Sequence, residues 1–245
     1  MNQANLGEQA VSKAAEVGIE SQLDEVDELD IDIKTNPLDL AGGKLESVTI
    51  DGSGMVMQKD LRTERLILET DSIAIDSLKA AFGDIELIQD TNAEVKIVLL
   101  AEDMQRAFNS EYIKHKLENQ QVNIDGKTVT VNASNVTVEL PGDDKISISA
   151  DLTFVESQQT EHIAFLAKPT LDANHHQIMI KDVEYPNGED TSLELTKALL
   201  DSTTELLDLR NFELGEMSLQ ISQLEVCQGK IIIAASALIQ EFPDS

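Results

Sequence analysis

A helical segment between residues 190 and 209 carries apolar residues around most of its circumference, which limits what can surround it. At about 100° per residue, its leucines form two adjacent stripes instead of the single stripe of a surface helix. The charged residues share the narrow remaining sector, about 80° wide. They are Glu194, Lys197, Asp201, Glu205 and Asp208. The rest of the chain must therefore supply an apolar surround, and the pattern alone favours a core helix over a ligand-lined one.

Much of the remaining chain alternates apolar and polar residues with a period of two, which predicts antiparallel strands. The longest such run extends from residue 121 to 185, where short connections predict a meander of hairpins. Within it, 127–133 and 135–141 are predicted as separate strands. The other predicted strands are 26–35, 45–58, 61–76, 93–100, 217–226 and 230–240. Gly52 and Gly54 predict a bulge or bend in the second of these.

Helical periodicity predicts a first helix at 4–22, a short one at 77–84 and a third at 101–117. No Pro/Gly/Ser-rich linker divides the chain, so we expect one α+β domain over residues 1–245. The physical solution that fits the helix at 190–209 is a long curved antiparallel sheet wrapped around it.

Charge and composition exclude several classes of partner. Lys and Arg number 18 against 46 Asp and Glu, giving a net charge of −28. Such a field repels nucleic acids and anionic membrane surfaces. The single Cys227 rules out an internal disulfide. No signal peptide and no long apolar run is readable, so the expected location is cytoplasmic, with peripheral membrane contact left open.

The sequence contains no readable catalytic motif. His175 and His176 are adjacent and lack metal-ligand spacing, and a phosphate loop, a Rossmann fingerprint and a nucleophile elbow are all missing from the chain. We therefore expect a protein that is not an enzyme and holds no metal or cofactor. A hydrolase or metal enzyme using His175 or His176 is the least favoured hypothesis.

The order of elements resembles a known family, most clearly from residue 27 to 113. The strand "GKLESVTIDGSGMVMQ", the "DLR" that joins it to "LRTERLILETDSIAI", and "AEVKIVLLAEDMQRAFNS" are similar to LmeA-like phospholipid-binding proteins. The resemblance implies a fold like that of the tubular lipid-binding (TULIP) proteins, in which a curved sheet wraps a long helix and leaves an apolar groove for acyl chains.

Under that resemblance the ligand is a lipid acyl chain, held without catalysis and released by transient membrane contact. The predicted groove residues are leucines of the 190–209 helix: Leu193, Leu195, Leu199, Leu200, Leu206, Leu207 and Leu209. The alternative is a structural or protein-interaction module whose core is filled completely, with the same leucines as ordinary core. The oligomeric state does not follow from the sequence.

Overall fold

A computed structural model describes residues 6–76, 87–124, 126–185, 195–196, 200 and 217–240. The short helix predicted at 77–84 lies outside these residues.

Antiparallel strands dominate the described part of the chain. Their bounds are β1 Glu28–Lys34, β2 Lys44–Leu45, β3 Ser47–Met57, β4 Leu61–Thr70, β5 Ile73–Ala74, β6 Thr91–Leu100, β7 Gln120–Ile124, β8 Lys127–Gly142, β9 Lys145–Phe154, β10 Thr160–Leu171, β11 Ile178–Glu184, β12 Met217–Cys227 and β13 Lys230–Ile239. The helices are α1 Leu6–Glu20, α2 Pro37–Ala41, α3 Ala101–Phe108 and α4 Glu111–Leu117.

The strands divide between two main sheets. One has six strands in the order β1-β3-β4-β6-β13-β12, and the other has five in the order β11-β10-β9-β8-β7. The predicted meander is confirmed by the five-stranded sheet, in which neighbours in sequence are neighbours in space. The expected single long sheet is instead two sheets plus the small β2-β5 pair.

Only three residues of the helix expected at 190–209 are described. Leu195 and Thr196 are helical and fully buried, and Leu200 is helical and half-buried. The wrapping of a sheet around this helix stays a prediction.

The predicted helix at 101–117 is wrong as one element, because it is broken into α3 and α4. Asn109 ends α3, and Ser110 adopts an extended conformation (φ −68°, ψ 156°). The Ser110 hydroxyl accepts a hydrogen bond from the Ile113 backbone N–H at 3.2 Å, which caps α4. Asn and Ser compete for backbone hydrogen bonds in this way, so the pair favours a helix boundary over a continuous helix.

The two strands predicted at 127–133 and 135–141 are one strand, β8. Its pairing with β9 shifts register between Ser134 and Thr137, and Asn135 has φ +52°. Asn tolerates this left-handed conformation, so it introduces a bulge instead of a turn. The bulge bends β8 where it passes α3.

α1 covers the outer edge of β1. Two backbone amides donate to α1 side chains: Ile33 N–H in β1 to Ser12 Oγ at 3.1 Å, and Thr35 N–H directly after β1 to Glu8 Oε1 at 3.2 Å. These bonds occupy backbone donors that an open sheet edge would present to another strand.

Gly54 does not add a residue to β3. The pairing with β4 keeps its register on either side, from Ser53↔Arg65 to Met55↔Thr63, so no bulge forms. Gly54 does adopt φ +59°, and a Cβ there would clash with the side chain of Asp27. Glycine is therefore required both by conformation and by close approach.

We predict that Gly54→Ala lowers the free energy of unfolding by more than about 2 kcal/mol, because it adds a steric clash to left-handed strain. Gly126→Ala is the matched control. Gly126 also has positive φ (+76°) but has nothing within 4 Å of a new Cβ, so its loss should be about 1 kcal/mol. Urea unfolding of both variants measures the difference, and equal losses would contradict the close-approach argument.

Candidate functional site

A cavity of about 240 Å³ lies beside the inner face of the five-stranded sheet. Eleven of its lining residues come from that sheet: Ala133, Val136, Ile146, Ile148, Ala150, Leu152, Ile163, Phe165, Pro169, Ile178 and Ile180. None of them has a polar side chain. The cavity is therefore suited to hydrocarbon and unsuited to a charged ligand.

The alternation within the strands produces this wall. Along β9, Ile148 and Ala150 face the cavity, while Ser147, Ser149 and Asp151 belong to the opposite face. The apolar face continues on β10, because Ala150 is paired with Ile163 and paired residues lie on the same face of a sheet. The same sheet thus has one apolar face and one mainly polar face.

The opposite walls come from the α3–α4 corner and from one end of the six-stranded sheet. α3 contributes Met104 and Phe108, and α4 contributes Leu117. The sheet end contributes Leu99, Leu224, Ile231 and Ile233, which pairing brings together as Ile231↔Leu99 and Leu224↔Ile233. The cavity therefore lies where the two main sheets meet helices α3 and α4.

Asn109 fixes the α3–α4 corner to the bulge of β8. Its side-chain amide donates to the Val136 carbonyl at 2.6 Å, and its Oδ1 accepts from the Val136 N–H at 3.2 Å. Val136 lines the cavity, so this two-way contact sets the distance between helix corner and sheet wall.

Arg62 fixes the other end of α3. Asp103, in the first turn of α3, is only 2% exposed, and its Oδ2 accepts from Arg62 Nη1 at 2.9 Å. Arg62 also contacts Glu64 at 2.7 Å and Asp27 at 3.2 Å. The hydrogen bond to Glu64 is the largest cause of the raised pKa of Arg62, and the Asp103 bond adds to it. This ionic cluster joins α3 to the six-stranded sheet.

His175 joins the two sheets away from the cavity. It lies in the turn before β11, where its carbonyl accepts from the Ile221 N–H at 2.8 Å and its Nδ1 lies 3.0 Å from the Ile221 carbonyl oxygen. His175 thus binds the β12 backbone, which is a structural contact. No group of three or more metal-ligating side chains occurs among the described residues.

The leucines predicted from the 190–209 helix divide into three groups. Leu200 lines the cavity. Leu195 is fully buried and packs in the hydrophobic cluster between the sheets, but it is not among the cavity-lining residues. The others lie outside the described residues: Leu193, Leu199, Leu206, Leu207 and Leu209.

Sequence reasoning missed the sheet residues and the α3–α4 residues of the wall. The signal for the former was present in the alternation of Ile146, Ile148, Ala150 and Leu152 with polar residues. That signal shows which residues share a face, but it does not show that a space adjoins them.

A second recess has the opposite chemistry. It has a volume of about 610 Å³ and lies on the six-stranded sheet, where its lining includes Glu28, Asp30, Asp51, Glu64 and Arg65. These charged side chains make it unsuitable for a hydrocarbon ligand.

Comparison with known families agrees with the apolar character of the cavity. The model for LmeA-like phospholipid-binding proteins matches residues 3–236, nearly the whole chain. The chain belongs to this family. Searches of curated proteins and of solved structures gave no match for this LmeA-like chain. None of its described helices is long and apolar enough to cross a membrane.

We predict that Arg62→Gln lowers the free energy of unfolding of this LmeA-like protein by about 3 kcal/mol, because Asp103 stays buried without a cation. Arg65→Gln is the matched control, since Arg65 forms a bidentate pair with Asp51 (3.0 and 2.7 Å) in which both side chains are exposed. The control should lose less than about 1 kcal/mol. Urea unfolding measures both, and similar losses would contradict the assigned role of the buried pair.

Proposed function

We propose that the protein binds lipid without catalysis and holds an acyl chain in the 240 Å³ cavity between the five-stranded sheet and the α3–α4 corner. The observation that carries the proposal is the apolar character of every described lining residue. Membership of a phospholipid-binding family supports the same conclusion.

The volume argues for a ligand over a packing defect. Unfilled space lowers stability, at about 24 cal/mol per Å³ in core substitutions. An engineered apolar cavity of about 150 Å³ stays dry and binds benzene, and the present cavity is larger. Each methylene that enters it would contribute about 0.8 kcal/mol.

The helix at 190–209 would form the remaining wall. Leu200 already faces the cavity, and Leu193, Leu199, Leu206, Leu207 and Leu209 continue the same apolar surface in the sequence. We propose that this helix lies along the concave side of the sheet, as in TULIP proteins, with Leu195 anchoring it in the core.

The cavity chemistry supports a carrier over an enzyme. No described lining residue can act as an acid, a base or a nucleophile. The net charge of −28 would oppose anionic head groups, so neutral or zwitterionic lipids are the cargo we expect. Transfer would take place during transient contact with a membrane.

Displacement of an apolar fluorescent probe by lipid tests the proposal. Ile148→Asn, which places an amide in the cavity wall, should weaken probe and lipid binding roughly tenfold or more, because the amide has no partner there. Ser149→Asn is the matched control on the outer face of the same strand, and it should bind as the original protein does.

The outcomes separate the two functions considered. Equal binding by folded Ile148→Asn and Ser149→Asn would remove the cavity as the lipid site. If the unaltered protein took up neither probe nor lipid from a total extract, the packed interaction module would be the better account.

A further inference from the structure

We infer that the cavity accepts one hydrocarbon chain at a time, inserted by its methyl end, and that the small side chains of Ala133 and Ala150 set the length of chain it can hold. This inference rests on the proposed lipid-binding function. It adds that the protein selects lipids by the length of their hydrocarbon chain and does not recognise the head group inside the cavity.

The volume sets the number of chains. By proportion to the cavity of about 150 Å³ that holds the six carbons of benzene, 240 Å³ holds about ten carbons. That is less than one full-length membrane acyl chain and far less than two. A diacyl lipid would therefore insert part of one chain and leave the other outside.

Two small side chains create the space on the sheet wall. Ala133 on β8 is opposite Leu152, and Ala150 on β9 is opposite Ile163. Ala133 and Ala150 are thus diagonal neighbours on one face of the sheet, surrounded by larger side chains. A longer side chain at either position would occupy the volume that the ligand uses.

The described polar groups of the α3–α4 corner, which borders the cavity, already have partners. The Asp103 carboxylate is paired with Arg62, and both ends of the Asn109 amide bind the Val136 backbone. The Ser110 hydroxyl donates to the Ala107 carbonyl at 2.6 Å. A phosphate or carboxylate drawn into the cavity would lose its hydration without gaining these groups, so the head group stays outside.

The test is a chain-length series in two head-group classes, straight-chain fatty acids and zwitterionic lysophosphatidylcholines, measured by calorimetry. Affinity should rise about fourfold for each added methylene and level off near ten carbons. The gain in binding free energy per methylene should be the same in both lipid classes, because the head group adds only a constant difference to the binding free energy.

Two variants and one control test the role of the alanines. Ala150→Leu and Ala133→Leu should each move the plateau to chains about three carbons shorter, since each adds about three carbons of side chain to the cavity. Ala133 is only half-buried, so a larger side chain should be easier to accommodate there. Ala133→Leu therefore still tests the role of the alanines if Ala150→Leu does not fold. Ala164→Leu, on the outer face of β10 opposite Ser149, should leave the plateau unchanged.

Different results would contradict different parts of the inference. If affinity kept rising up to the longest chain, the length limit would be wrong, although lipid binding would still hold. The same conclusion would follow if the plateau stayed in place in both folded variants. If the gain in binding free energy per methylene differed between the two lipid classes, the inference that the head group stays outside the cavity would be wrong. No binding of any chain by the folded protein would overturn the proposed function as well.

Discussion

The α3–α4 corner is the element on which the arrangement around the cavity depends. It connects β6 of the six-stranded sheet to β7 of the five-stranded sheet, so its position determines how the two apolar sheet faces meet. Arg62 and Asp103 hold one end by a buried ion pair, and Asn109 holds the other by binding Val136. Breaking either contact would move Met104 and Phe108, which form the α3 part of the cavity wall.

The location of polar groups explains why the cavity is apolar in so acidic a protein. Among the described residues Asp103 is the one buried charged side chain, and it is paired with Arg62. The Asn109 amide and the Ser110 hydroxyl, at the same helix corner, bind backbone groups. In the proposed function, binding energy would come from removing hydrocarbon from water, which depends on chain length and volume and hardly on head-group chemistry. The family relationship indicates a lipid ligand, and in the proposed function the cavity would hold its hydrocarbon.

Local sequence patterns were sufficient for most strands and insufficient for the site. Alternation in segments such as 145–154 identifies a strand and its buried face, because a side-chain period of two is a local property. The break at Asn109–Ser110 was readable from helix-capping chemistry, yet apolar periodicity across 101–117 concealed it. The predicted division into two strands at Ser134 was wrong, because Asn135 with its positive φ forms a bulge within one strand. The cavity depends on the pairing of distant strands, such as Ile231 with Leu99, and on the size of Ala133 and Ala150 relative to their neighbours. No local pattern contains that information.

The central claim is that a lipid chain occupies the space between the five-stranded sheet and the α3–α4 corner. The most direct measurement is anomalous diffraction from crystals grown with a fatty acid brominated at its methyl end. The account predicts a bromine peak within van der Waals distance of Ala150 and Phe108, with the carboxylate outside the cavity. A bromine peak elsewhere on the protein, or an ordered protein side chain filling the space in its place, would contradict it.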